Sequence, residues 1–180
     1  MFFLKGHAIS LIILILVSFP NAAAVESGTS LQKSYVDAGY VSVSEALQES
    51  SRHFKRDIHL PFQIPPIPFT HIFGRFHSAS GEMNDEFEVE YINENLPENH
   101  FIIRVRPIEH QITFRENEID HLIQLKNGTE AVYCFGNQFN MLAFEKNGWQ
   151  YMLNIDKRAA VTANLDMLTA IADSIIETAE

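Results

Sequence analysis

Cysteine is nearly absent from this sequence. The one example in 180 residues is Cys134, so no intramolecular disulfide forms and no cage of thiolates holds zinc. The disulfide-stapled class of small secreted domains is thereby excluded. Basic residues are scarce too: 13 Lys and Arg stand against 23 Asp and Glu, a formal net charge of -10. A phosphate backbone needs a basic surface, so nucleic-acid binding is disfavoured, and so is docking on anionic lipid. Beyond the N-terminal region no apolar run approaches the length of a membrane-spanning helix.

Catalytic signatures are also missing. The eight histidines are His7, His53, His59, His71, His77, His100, His110 and His121. None falls into His-Glu-x-x-His or His-x-His spacing, so no metal site is expected and surface titration is their default role. His71 and His77 share a parity on one strand but lie about 20 Å apart at strand rise. There is no Gly-x-Ser-x-Gly elbow and no Gly-rich phosphate loop. Cys134 sits between Tyr133 and Phe135 in an apolar run and reads as a buried, inert thiol. No cofactor is expected, and a catalytic role is not expected either.

What the sequence does contain is a globular composition, with 46% apolar and 20% charged residues, including 14 Phe. One domain with a sheet-rich core follows. The first 24 residues read as a secretory signal peptide. Lys5 is the basic start, residues 9–19 (ISLIILILVSF) are the apolar stretch, and Pro20-Asn21 breaks it before Ala22-Ala23-Ala24. Cleavage is predicted after Ala24. An uncleaved single-span anchor is the alternative, and it would be the chain's one attachment to a membrane. No cysteine follows the apolar stretch to form a lipobox. The expected localisation is secreted or extracytoplasmic.

Residues 25–41 carry Ser and Gly without periodicity and are predicted to be a flexible lead-in to a single α+β domain over 42–180. Residues 42–54 (SVSEALQESSRHF) predict a short helix with Ser42 and Glu45 as a capping box. Residues 59–69 (HLPFQIPPIPF) hold four of the seven prolines. They predict an extended crossing, neither central strand nor helix. Residues 70–78 predict a strand with Gly74 as a possible bulge. Residues 86–93 and 100–108 predict a hairpin. A loop over 95–99 would set Glu94 opposite His100, Tyr91 opposite Ile103, Val89 opposite Val105, Glu90 opposite Arg104 and Glu88 opposite Arg106. One face is then apolar, and the acidic–basic ladder on the other reads as a solvated strand face. A short strand is possible around 112–114.

The most legible stretch is 118–180. Asn127-Gly128 and Asn147-Gly148 each predict a type I′ turn between strands. The strands are 119–125, 130–135, 139–145 and 149–155, and residues 164–179 follow as a helix with Leu165, Leu168, Ile171, Ala172, Ile175 and Ile176 on one stripe. Asn164 or Thr162 would cap it. The predicted fold class is α+β: an antiparallel meander of about six to seven strands, a C-terminal helix packed on one face and a short N-terminal helix. Asn127-Gly128-Thr129 is formally a glycosylation sequon, which the turn reading explains without a sugar.

Gly148-Trp149, Tyr151 and Leu153, a polar gap, and then Ile171-Ala172-Asp173-Ser174-Ile175 in a capped helix resemble a known group. They are similar to the small extracytoplasmic domains of unknown function of spore-forming Gram-positive bacteria. Those occur at the C-terminus of anti-sigma-factor-like proteins and in lipoproteins, and are distantly lipoprotein-carrier-like. The resemblance implies packing motifs and no catalytic residues. The functional expectation is a secreted or envelope domain that binds or regulates without catalysis. A carrier of lipid or another apolar ligand is an alternative, and an envelope hydrolase a second. Leu142, Phe144 and Met152 fall on parities opposite to neighbouring core residues, which predicts a sheet apolar on both faces. With Phe62 and Phe69 of the Pro-rich crossing they are the candidate ligand-facing residues, toward an envelope protein or an apolar ligand.

Overall fold

The structure is a computed structural model that describes residues 30–78, 84–159 and 165–175. The signal-peptide stretch, the caps proposed at Thr162 and Asn164, and the last turn of the C-terminal helix lie outside the described residues. The fold is α+β, as expected. Helix α1 spans Ser30–Asp37 and α2 spans Val43–Phe54. Strands β1 (His71–His77), β2 (Glu86–Ile92) and β3 (His100–Pro107) come next. Two single 3-10 turns, Ile108–His110 and Glu116–Glu118, lead to β4 (His121–Gln124), β5 (Glu130–Phe135), β6 (Phe139–Lys146) and β7 (Trp149–Asp156). Helix α3 covers Leu165–Asp173. All strands lie in one antiparallel sheet in the order β1-β2-β3-β7-β6-β5-β4. Two meanders, β1–β3 and β4–β7, are thus joined where β3 pairs with β7.

Local sequence explains most boundaries. Ser42 caps α2: its hydroxyl accepts the Glu45 amide at 3.2 Å, while the Glu45 carboxylate accepts the Ser42 amide at 3.1 Å. The helix stops at Lys55, which turns left-handed at φ 58°. Asn147 and Gly148 both have positive φ, as a type I′ turn requires. Asn127-Gly128 differs from expectation. Only Gly128 is left-handed, its amide bonds to Leu125 O, and Leu125 N bonds to Thr129 O. This is a three-residue loop with glycine at the bulge position, not a second two-residue turn.

Other expectations shift for physical reasons. The β2–β3 register is offset by two residues: Glu88 lies opposite Arg104, Val89 opposite Ile103 and Tyr91 opposite Phe101. The strands part earlier, after Ile92, and the longer connection over 93–99 is held because Asn93 accepts the amides of Asn95 and Leu96, and both Asn93 and Asn99 donate their side-chain amides to Pro68 O. An offset of two leaves every side chain on its expected face. Gly74 is no bulge; it pairs regularly with Val89 and lets α2 approach β1. Residues 112–114 form no strand. The Ile112 amide and carbonyl bond instead to the Gln150 side chain at 2.8 and 2.9 Å, which ties the connection after β3 across the sheet. Residues 30–37 of the expected flexible lead-in form α1.

The main core lies on one face of the sheet. There Phe87, Val89, Phe101, Ile103, Val105, Leu142, Phe144, Tyr151, Leu153 and Ile155 meet Ala46 of α2 and Leu168, Ile171 and Ala172 of α3. Each Val, Leu, Ile or Phe of this set, fully buried, contributes roughly 1.5–3 kcal/mol. A helix as short as α3 is marginal alone, so this packing is what holds it. The Pro-rich crossing runs over the same face with Leu60, Ile67 and Phe69 half-buried. Two polar tips on β7 pin its approach: the Trp149 indole N–H donates to Asp57 O and the Tyr151 hydroxyl to His59 O, each at 3.0 Å. Burial pushes the Tyr151 phenol up to about 12. The Arg56 guanidinium lies 3.8 Å over the Trp149 ring.

Candidate functional site

The second face of the sheet carries the polar chemistry. Alternation along β2 points Glu86, Glu88 and Glu90 to this face, and the same alternation brings Arg75 from β1 and His100, Arg104 and Arg106 from β3 beside them. The expectation of a solvated ladder fails here. Glu88 is 1% exposed and Glu90 is 7% exposed. The cover is the N-terminal segment. Tyr35 of α1, with Tyr40 just beyond it, packs on Phe73 and Ile92, and the Tyr35 and Phe73 rings stack at 4.5 Å.

These two tyrosines complete a hydrogen-bonded network. The Tyr40 hydroxyl reaches both acids, at 2.6 Å from Glu88 Oε1 and 2.6 Å from Glu90 Oε1. The Tyr35 hydroxyl donates to Glu90 Oε2 at 2.7 Å, and His100 Nε2 meets the same oxygen at 3.1 Å. Arg75 donates to Glu88 Oε1 at 3.0 Å and Arg104 to Glu88 Oε2 at 2.7 Å. Arg106 pairs with Glu86 at 2.5 Å. The Arg75 guanidinium also lies 4.3 Å over the Tyr40 ring.

Titration follows from this geometry. Burial alone would raise the Glu90 carboxyl, but hydrogen bonds from His100, Tyr40 and Tyr35, with the His100 charge, outweigh it and bring it down to about 2. Tyr35 and Tyr40 are held well above the ordinary phenol range, by burial first and then by their bonds to the carboxylates. Arg104 is pulled against burial toward the charged form by Glu88. Every oxygen of Glu88 and Glu90 therefore already accepts a fixed donor. Neither acid is poised to take a proton from a substrate.

Beside the network is a cleft of about 370 Å³ between α1 and the β2–β3 turn, whose walls include Leu31, Tyr35, Ile92, Asn93, Pro97 and His100. A smaller one of about 270 Å³ opens between Tyr35, Tyr40 and Glu90. A second His–carboxylate pair, His53 with the buried Asp85 at 2.8 Å, lies apart from these. The His53 ring rests against Phe54 and Phe76 and ties the end of α2 to the approach to β2. Among the described residues no group of three or more His, Cys, Asp or Glu side chains is arranged to hold a metal ion.

The candidate ligand-facing residues are not brought together. Phe62 is 74% exposed on the crossing, and Phe69 is half-buried with its ring 5.6 Å from that of Tyr91. Leu142 and Phe144 lie inside the main core, opposite Leu153 and Tyr151. Met152 is on the other face, opposite Ala143 and Arg104, and is 3% exposed. The parity argument fails because the two-residue turn sets Lys146 opposite Trp149, so even positions of β6 face odd positions of β7. The carboxylates were visible as a ladder. Their burial is not legible in the strands themselves, because it depends on Tyr35 and Tyr40, in a segment without an obvious pattern; the spacing of Leu31 and Tyr35, one helical turn apart, is the signal that points to it. Comparison of the chain with protein-family models, curated proteins and solved structures finds no match.

Proposed function

We propose that this chain is a non-catalytic binding or regulatory domain working outside the cytoplasmic membrane. The observation that carries the reading is the saturation of Glu88 and Glu90. Their oxygens are all engaged by tyrosine, arginine and histidine donors, while the cleft beside them keeps a largely apolar wall of Leu31, Ile92, Pro97 and Tyr35. Such a site holds its shape without offering a free base or nucleophile. Its volume is within the range of small-molecule and side-chain pockets. The reading of the first 24 residues as a signal peptide and the resemblance to extracytoplasmic domains support that location. A second reading, a carrier of an apolar ligand, rests on the same apolar wall.

The test uses the exposed rim of the cleft. Affinity capture from envelope and culture-fluid fractions is run in parallel with the wild-type chain and with Pro97→Asp, whose position is exposed. The expected result is a protein or lipid retained by the wild type and lost by the variant, with unchanged thermal unfolding. Equal retention by both, or recovery of free protein alone, overturns the reading. A fusion of residues 1–24 to a reporter active only after export tests the address.

A further inference from the structure

The cleft between α1 and the β2–β3 turn has one charge in its wall that nothing balances. Deeper on the same face the charges cancel. Three acids, Glu86, Glu88 and Glu90, stand beside three arginines, Arg75, Arg104 and Arg106, and His100 is committed to Glu90. On α1, Lys33 is bonded to Asp37. Glu94 lines the cleft with only its backbone engaged: its amide donates to Thr70 Oγ1 at 2.9 Å. Among the described residues no Lys, Arg or His comes within ion-pair distance of the Glu94 carboxylate, so both of its oxygens are open. The turn that carries it is held in place, because the buried Asn93 side chain accepts two amides of the turn and donates to Pro68 O.

We propose that this cleft takes an arginine side chain of a partner protein, its guanidinium paired with Glu94 and its stem lying along Leu31, Ile92 and Pro97. The proposal rests on the cleft being the binding site, as put forward above, and names its occupant. Charge complementarity makes the choice. A neutral apolar occupant would strip water from the Glu94 carboxylate and return no hydrogen bond, which is costly. An acidic occupant would meet the same carboxylate on a chain of net charge -10. A cation returns a charge-assisted hydrogen bond for the lost water.

The open pair of oxygens then separates arginine from lysine. A guanidinium presents a planar fork that bonds both oxygens at once, whereas an ammonium is a compact and more strongly hydrated point charge. The apolar stem of arginine suits the aliphatic wall, and Tyr35 in the same wall supplies an aromatic surface on which a guanidinium stacks. The net charge of the chain also draws a basic partner in, more so at low salt.

The experiment is an NMR titration of the full chain with three blocked tripeptides that carry arginine, lysine or citrulline between glycines. Citrulline keeps the shape of arginine without its charge. The expected result is saturable shifts at Leu31, Ile92 and Glu94 with the arginine peptide, at the millimolar affinity of a single side chain. The lysine peptide should bind several-fold more weakly and the citrulline peptide at least about tenfold more weakly. Glu94→Gln changes an exposed position, so it should leave the melting temperature unchanged and weaken binding of the arginine peptide at least about tenfold. Citrulline or lysine binding as tightly as arginine, shifts confined to another surface, no saturable shift at all, or a Glu94→Gln chain that binds as the wild type does, overturns the proposal. Capture from envelope and culture-fluid fractions separates this failure from that of the cleft itself. A partner lost by Pro97→Asp but held equally by Glu94→Gln and the wild type keeps the cleft as the site and overturns its arginine occupant.

Discussion

Replacing Gly74 by alanine should destabilise the fold, against the usual benefit of removing a glycine from a strand. A Cβ built at position 74 sits 2.7 Å from Val43 Cα, 3.0 Å from Ala46 Cβ and 3.1 Å from Ser42 O. The first of these is backbone, and the third belongs to the cap of α2. Neither moves without loosening the helix start. The strand is fixed as well, because Gly74 is bonded to Val41 on its outer side and paired with Val89 on its inner side. Overpacking of this kind costs about 1–3 kcal/mol. Losing glycine's extra freedom in the unfolded chain offsets about 0.5–1 kcal/mol of that. Taken at mid-range, the net loss is about 1 kcal/mol, or a melting temperature lower by about 2–4 °C for a domain of this size. The assay is thermal and urea unfolding of Gly74→Ala, alone and with Ala46→Gly. Since Ala46 Cβ is one of the clashing atoms, Gly74→Ala should cost at least about 0.5 kcal/mol less in the Ala46→Gly background. A neutral or stabilising Gly74→Ala, or an equal cost in both backgrounds, would refute the close-approach argument.

Three further outcomes follow from the network and turns. Glu90 has a folded pKa depressed to about 2, so its contribution is present above the unfolded carboxyl range and fades between about pH 4.5 and pH 2. Glu90→Gln should therefore cost about 3 kcal/mol at neutral pH, and the gap to wild type in urea unfolding should close on acidification. Tyr40→Phe removes one hydroxyl proton, shared between Glu88 and Glu90, and Tyr35→Phe removes one given to Glu90, so each should cost about 1.5–3 kcal/mol. The double variant should lose less than the sum, because both hydroxyls serve Glu90. Gly128→Ala meets open space but forces a non-glycine residue to φ 84°, so calorimetry should find a loss of about 1 kcal/mol from backbone strain alone.

Local patterns carried much of the architecture. Ser42 and Glu45 announce the start of α2, Asn147-Gly148 the β6–β7 turn, and the Leu165–Ile175 stripe the buried side of α3. Each depends on residues a few positions apart, which is the range over which propensity and periodicity act. The features that escaped depend on distant partners. The β2–β3 register was moved by Pro68, whose carbonyl gathers Asn93 and Asn99. The face of Leu142 was fixed by the β6–β7 register and not by its own strand. Above all, the charged ladder of β2 and β3 was legible as alternation, but its burial was not. That burial comes from two tyrosines some fifty positions upstream, and nothing in the Glu-Val-Glu pattern itself encodes them.

The β3–β7 seam has a consequence for how the chain acquires its fold. Each meander is built from neighbouring strands and can form as its own residues become available. The seam cannot, because β3 waits for a strand that begins only at Trp149. Closing that long intervening segment carries an entropic cost before any of its contacts form. Folding should therefore pass late through the docking of two preformed halves, at a rate set by this non-local step. During synthesis the open side of β3, with Phe101, Ile103 and Val105 along it, stays unpaired until β7 is in place. The period of greatest exposure to misassembly ends with the arrival of Trp149–Asp156, which gives the C-terminal third of the chain a protective role in biogenesis beyond its place in the finished core.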